Sequence, residues 1–477
     1  MASQVDALVL SKSLALVEKT KRQVAQIDTA EFPTSSSLVA RNLLLAALGS
    51  LGNEAHWQAM SPEALYRALI QMQRLVGEVE ASTSDRISWP LVSYCDHFWR
   101  LLFPSDDTQI FYSLFEEHNY GIRSFSRRLM LLLETVLPPP EVTRILGGKE
   151  IYCLQISSLE DENLPLYANI GHEFGHALYW AKEQQIWSIL AAECDAVFKA
   201  IRSSLVAQEA GSAGRRASRC AWVIMAIATE LFADLVGALI AGPAFLLSLH
   251  EMGWGADQNS WSIALSPKDS NTHAYPSFAF RLSCVQGTVR LDAFDRDLRH
   301  KFDAMPNEKD LLKTIPQHLT GIPVAHQADH ISARPVGDGD AKALQQAAEK
   351  ALPDLKQGLR RFVDRCNKEV LTQFQNHPEF SAVSGEQVFE LIRRLDADIL
   401  PNIIPDGTLL GIPASFGTIL NASALFRMHV LSARDGGSVG SKEIHRRVQK
   451  VEQLTAKALE VSYVQREFRS WESTRNV

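Results

Sequence analysis

The chain has 477 residues, 46% of them hydrophobic, enough for a large core and for two or three domains. Its net charge of −7 is spread without long blocks, which argues against nucleic acid as a main partner. The six cysteines, Cys95, Cys153, Cys194, Cys220, Cys284 and Cys366, form no C-x-x-C pair. They read as reduced thiols of a cytoplasmic protein, neither a structural zinc site nor a disulfide framework.

The first residues, Met1 to Leu8, lack a basic segment and a cleavage site, so no signal peptide is expected. Residues 1–145 read as almost wholly helical. Ser61-Pro62-Glu63 is a helix start, with an N-cap serine, proline at N1 and an acid in the first turn. Leu65, Leu69, Met72 and Val76 then repeat at helical spacing and form a core stripe. Phe98, Trp99, Phe103, Phe111 and Phe115 supply aromatic packing, and Glu116-Glu117-His118 reads as surface. Pro138 to Pro140 closes this region and marks a boundary near residue 145. Gly147-Gly148-Lys149 lacks the spacing of a phosphate loop. Ile151, Tyr152, Cys153, Leu154 and Ile156 are β-formers, and Lys149–Ser158 is expected to be a strand.

A polar turn at Asp161-Glu162-Asn163 leads into the most informative segment, His172-Glu173-Phe174-Gly175-His176. It spells H-E-x-x-H inside an apolar, helix-compatible run. Positions i and i+4 share a helix face, so both imidazoles can converge on one Zn²⁺. Glu173 is then placed to take a proton from a water activated there. Downstream, Glu230 and Asp234 stand alone in the otherwise uncharged stretch Ala221–Ile240, again at i and i+4. Buried carboxylates must be neutralised, paired or bound to a cation. Glu230 is assigned as third ligand. Asp234 is assigned to the free N–H of a ligating imidazole, fixing its tautomer. The competing reading for this pair is a buried ion pair with an arginine.

Leu235–Leu249 is apolar but broken by Pro243, short of the run of about 18 residues that a spanning helix wants. It reads as a core helix, and no membrane span is expected. His250 reads as a capping or core histidine. Beyond Arg281 helical patterns return. Residues 327–340 read as a loop, 401–417 as an ordered loop at a cleft surface, and Asp435–Gly440 as a connector. Ile444, Val448, Val451, Leu454, Ala458 and Val461 mark a last helix, with Arg446, Arg447 and Lys450 on its solvated face.

H-E-x-G-H followed some fifty residues later by E-x-x-A-D resembles the gluzincin metallopeptidases, and within them the heat-shock-protease and CAAX-prenyl-protease type. The resemblance covers roughly residues 148–285. Members often carry T-H-P after the third ligand, with an arginine five residues beyond the proline. Here the chain reads Thr272-His273-Ala274-Tyr275-Pro276 and then Arg281. The proline-to-arginine spacing matches, whereas His273 is displaced and Tyr275 precedes the proline. Tyr275 and His273 are both candidates to meet the oxyanion. Arg281 would pair with Asp234 or a substrate carboxylate, or serve structure alone. The resemblance implies an α+β, predominantly helical fold: a zincin-like core with a small sheet over 146–290, flanked by helical regions 1–145 and 291–477. It also implies that strand 151–157 is an edge that pairs with extended substrate.

The function expected is a zinc-dependent metallopeptidase acting on a peptide or protein substrate. Two alternatives stand beside it: a zinc hydrolase of a non-peptide amide, and a non-catalytic scaffold stabilised by zinc. The flanking helical regions could bind a regulatory protein.

Overall fold

The computed structural model describes residues 2–53, 61–83, 87–115, 121–157, 163–206, 213–252, 260–264, 273–287, 289, 291–304, 330–334, 340–380, 383–407, 411–432 and 440–475. The fold is α+β and predominantly helical, with small mixed sheets. It divides into two compact units, Met1–Glu162 and Asn163–Val477.

The first unit runs α1 (Ala2–Gln26), α2 (Ser35–Leu51), α3 (Pro62–Glu80), α4 (Trp89–Leu102), β1 (Thr108–Phe115), β2 (Gly121–Ser124), α5 (Phe125–Leu133), α6 (Pro139–Leu146) and β3 (Glu150–Ser157). α3 starts where its sequence signals place it: the Ser61 hydroxyl accepts from the Ala64 N–H at 3.5 Å, and Pro62 opens the helix. Its stripe Leu65, Leu69, Met72 and Val76 is fully buried in one cluster with Val17, Val24, Leu44 and Leu48.

Two expectations fail here. The region read as almost wholly helical also holds two strands, Thr108–Phe115 and Gly121–Ser124. Ile110, Phe111 and Tyr112 are buried in β1; aromatic residues suit a pleated surface as well as a helix face, so local composition does not separate the two. Nor is β3 an edge. The sheet order is β1-β3-β2, with β1 parallel and β2 antiparallel to β3, and Tyr152 to Gln155 are paired on both sides. Every residue from Ile151 to Ser157 is buried, as expected of a strand covered on both faces. Its paired backbone leaves Tyr152 to Gln155 no free edge for an extended substrate. Glu116, Glu117 and His118 lie outside the described residues.

The second unit runs α7 (Leu164–Ala181), α8 (Glu183–Val206), α9 (Ala213–Ala241), α10 (Pro243–Met252), β4 (Ser260–Ala264), β5 (His273–Tyr275), α11 (Phe278–Gln286), α12 (Leu291–Asp303), β6 (His330–Arg334), α13 (Asp340–Glu369), α14 (Thr372–Gln375), α15 (Gly385–Asp396), β7 (Ile403–Ile404), β8 (Ile412–Pro413), α16 (Phe416–Ser432) and α17 (Ser441–Arg475). β4 pairs antiparallel with β5 and parallel with β6. β6 corrects the reading of 327–340 as loop throughout: His330–Arg334 is held by β4, about seventy residues earlier in the chain, a long-range pairing that no local signal announces. β7 and β8 form a small hairpin within 401–417. Residues 433–439 lie outside the described residues.

The apolar run Leu235–Leu249 is two helices broken at Gly242, whose φ of +58° suits glycine, and restarted by Pro243. Asn421 closes the break. Its amide donates to the carbonyls of Ala241 at 2.8 Å and Gly417 at 2.7 Å, and its oxygen accepts from the Ala244 N–H at 2.7 Å. Ala221–Ala241 is long and apolar enough to cross a membrane by length and composition; most of it is buried inside the protein, as in a core helix. Cys95, Cys153, Cys194, Cys284 and Cys366 are free and buried, while the Cys220 side chain lies outside the described residues.

Candidate metal centre

The site is made where α7 crosses α9, and small residues set how closely they cross. A Cβ on Gly175 would lie 2.5 Å from the Ala233 Cα and 2.9 Å from its carbonyl oxygen. A Cβ on Gly171 would lie 3.1 Å from the Gly237 Cα. One turn further along α7, Tyr179 lies edge-on to Phe232. The helices are therefore antiparallel and nearly backbone to backbone. That approach brings the i, i+4 pair His172 and His176 against the i, i+4 pair Glu230 and Asp234.

The His172 and His176 Nε2 atoms face each other at 3.1 Å. Glu230 Oε2 is 3.4 Å from the His172 Nε2, and Glu230 Oε1 is 3.7 Å from the His176 Nε2. Donors bound at about 2.0–2.1 Å to one tetrahedral Zn²⁺ stand roughly 3.3–3.4 Å apart, so these separations fit three ligands of a single ion. The donor atoms of His172, Glu173 and His176 also lie within 4.8 Å of one another. Two carboxylates thus flank the imidazoles. His172, Glu173 and His176 form a group that could hold an ion, and the two Glu230 oxygens each approach one of the imidazoles.

Behind the imidazoles lies a buried ion pair. Asp234 Oδ1 is 2.9 Å from the His172 Nδ1, which leaves Nε2 aimed at the other donors. Arg281, from α11, grips Asp234 with both prongs, Nε to Oδ2 at 2.8 Å and Nη2 to Oδ1 at 2.7 Å. Its Nη2 also stands 3.8 Å from the Glu230 Oε2. The Ser277 hydroxyl caps α11 by accepting from the Phe280 N–H, which holds that helix start in place.

The charges respond accordingly. Burial would push the Asp234 carboxyl up, but Arg281 and His172 outweigh it and hold it near 2. Burial would lower the His172 imidazole; its bonds to Asp234 and Glu230 raise it to about 10. His176 is pushed down by burial and by its neighbour His172. Glu230 is held below the usual carboxylate range because the histidines and Arg281 outweigh its burial. A site that concentrates two carboxylates around a histidine pair favours positive charge, whether protons or a cation.

Of the sequence-derived candidates, His172, Glu173, His176, Glu230, Asp234 and Arg281 come together. Tyr275 joins them from β5, which packs on α9. Its hydroxyl is raised by burial and by Glu230, and it also feels Arg281 and Glu173. His273 lies in β5 with its side chain outside the described residues. His250 sits in the last turn of α10. Two features were missed by motif reading. The Trp180 ring stacks on His176, with centroids 6.4 Å apart, and its signal was the i+4 spacing. Gly171 and Gly175 form a small-x-x-x-small pair matched by Ala233 and Gly237, a pattern that marks close helix approach.

Comparisons of the chain with protein-family models, with curated proteins and with solved structures find no match.

Proposed function

We propose that this chain is a zinc-dependent peptidase of gluzincin type, built on a zincin-like core, with His172, His176 and Glu230 as the metal ligands. The observation that carries the reading is the convergence of their donor atoms at 3.1, 3.4 and 3.7 Å with Glu173 beside them. Zn²⁺ in such a site, when bound, polarises a carbonyl and acidifies water.

The chain's own residues then have distinct tasks. Glu173 takes the proton of the attacking water as its oxygen bonds to the scissile carbonyl carbon. It passes that proton to the leaving amine nitrogen as the C–N bond breaks. The Tyr275 hydroxyl donates to the oxyanion that forms on the former carbonyl oxygen. Asp234 holds His172 in the tautomer that presents Nε2, and Arg281 neutralises Asp234 so that the buried carboxylate is paired.

The test is zinc content together with peptide cleavage in wild type and Glu173→Gln. The reading expects about one zinc per chain in both proteins, and cleavage reduced about 10²–10⁴-fold in the variant. Full activity in Glu173→Gln would sink the mechanism. Zinc in both proteins with no peptide cut by either would favour the alternative in which the metal only ties α7 to α9.

A further inference from the structure

The register between α7 and α9 continues beyond the metal centre and leads to a cavity. Gly171 lies opposite Gly237 and Gly175 opposite Ala233, and Tyr179 faces Thr229. Each step advances one strand of the pair by four residues and retreats the other by four. Two more steps would set Glu183 by Met225 and Trp187 by Ala221, and these four residues line one cavity. At that point α8 has taken over from α7 after Lys182, whose backbone leaves the helical region. There the helices no longer close on each other. An open cavity of about 400 Å³ lies between them, lined by Glu183, Trp187, Ala221, Trp222 and Met225.

The walls are chemically distinctive. Trp187 is 39% exposed and Trp222 58% exposed, and Met225, three residues after Trp222 on α9, lines the same cavity. Large apolar side chains gathered at an open cavity mark a contact surface more often than isolated ones do. Among the described residues that line it, Glu183 alone is charged. An aromatic or long aliphatic group would gain both burial and ring contacts here.

Helix spacing relates the cavity to the metal donors. Trp222, Ala226 and Glu230 follow one another at i, i+4 and i+8 on α9, so they lie along one ridge of the helix. His172, His176 and Trp180 do the same on α7, and the Trp180 ring lies on the His176 ring. From Trp222 to Glu230 is eight residues of helix, about 12 Å. An extended peptide covers that distance in about three to four residues at 3.3–3.6 Å each.

We propose that this cavity receives a large apolar side chain of the substrate, three to four residues from the bond that is cut, and that Trp187 and Trp222 determine that preference. The inference rests on the peptidase reading of the metal centre. It adds to that reading a substrate class: peptides with an aromatic or long aliphatic residue at a fixed distance from the cleavage point.

The test uses the zinc-loaded full chain and a series of hydroxamates, measured by calorimetry. Each carries a phenylacetyl cap joined to the hydroxamate through zero to five glycines, and the series is built in both chain directions. Affinity should peak at three or four glycines in one direction, on the order of tenfold above the probe with none. The peak should vanish in Trp222→Ala and in Trp187→Ala, survive in Trp222→Phe, and leave acetohydroxamate binding equal in all four proteins. A flat length series, or a peak indifferent to both alanine variants, overturns the cavity assignment while the metal centre stands. A guanidinium-capped series binding more tightly than the phenyl series overturns the apolar class and makes Glu183 the recognition element. Failure of acetohydroxamate to bind the zinc-loaded chain overturns the peptidase reading, and the cavity assignment with it.

Discussion

The closest contact in the site is the place to test how it is built. In Gly175→Ala, the new methyl would stand 2.5 Å from the Ala233 Cα, against an ordinary carbon separation of about 3.5–4.0 Å. The obstructing atoms are backbone, which cannot rotate away, so α7 and α9 must part locally by roughly 1 Å. Overpacking of a well-packed core costs about 1–3 kcal/mol, and the rigid neighbour argues for the upper end. Alanine recovers up to about 1 kcal/mol of helix propensity, leaving a net loss of about 2 kcal/mol. The functional loss is larger than the stability loss suggests. Glu230 now sits 3.4 and 3.7 Å from the two ring nitrogens, and a shift of that size on α9 would take it out of the joint coordination proposed for it. Zinc affinity, measured by competition with a chromogenic chelator, should fall by at least the 10–100-fold seen when support for a ligand is lost. Gly171→Ala, 3.1 Å from the Gly237 Cα, needs a shift of only a few tenths of an ångström and should lose less of both. Gly77→Ala, on α3 with open space around it, should stabilise by up to about 1 kcal/mol and leave zinc binding untouched. Wild-type zinc affinity in Gly175→Ala would refute the argument that this contact positions Glu230.

Three further outcomes are expected. Asp234→Asn leaves buried Arg281 with the more distant Glu230 carboxylate, 3.8 Å away, as its counter-charge, and should cost about 3 kcal/mol in denaturant unfolding. The double variant Asp234→Asn, Arg281→Met should regain part of that stability without regaining zinc affinity, and equal recovery of both would contradict the role given to Asp234. Tyr275→Phe should lower kcat by about 10²–10³ with KM little changed and, at a position 43% exposed, leave unfolding within about 0.5 kcal/mol of wild type; an effect confined to KM would remove Tyr275 from the oxyanion. Asn421→Leu strips the carbonyls of Ala241 and Gly417 and the Ala244 N–H of their partner at the α9–α10 break. It should cost about 2–4 kcal/mol, read by thermal melting, and a neutral result would mean that the break is satisfied in another way.

The donors of the site were legible because helix periodicity is local. His172 with His176, and Glu230 with Asp234, share faces by spacing alone, and each pair stands out against an apolar stretch. The core stripe from Leu65 to Val76 and the start of α3 at Ser61 were legible for the same reason. What spacing could not say was which carboxylate faces the imidazoles, or that Arg281 closes on Asp234. Those depend on a helix crossing between residues more than fifty positions apart, set by Gly171, Gly175, Ala233 and Gly237. Sheet pairing was opaque for a related reason. Ile151 to Ser157 reads as a strand from its composition, but whether a strand is edge or centre depends on what comes to lie beside it. Thr108–Phe115 and His330–Arg334 are strands because of partners far along the chain. By itself, then, the sequence determined the chemistry available: two imidazoles, a flanking glutamate, and two carboxylates on a second helix. The tertiary structure alone decided their convergence and the side on which an apolar cavity opens, because backbone-to-backbone approach is a property of two helices together and of neither alone.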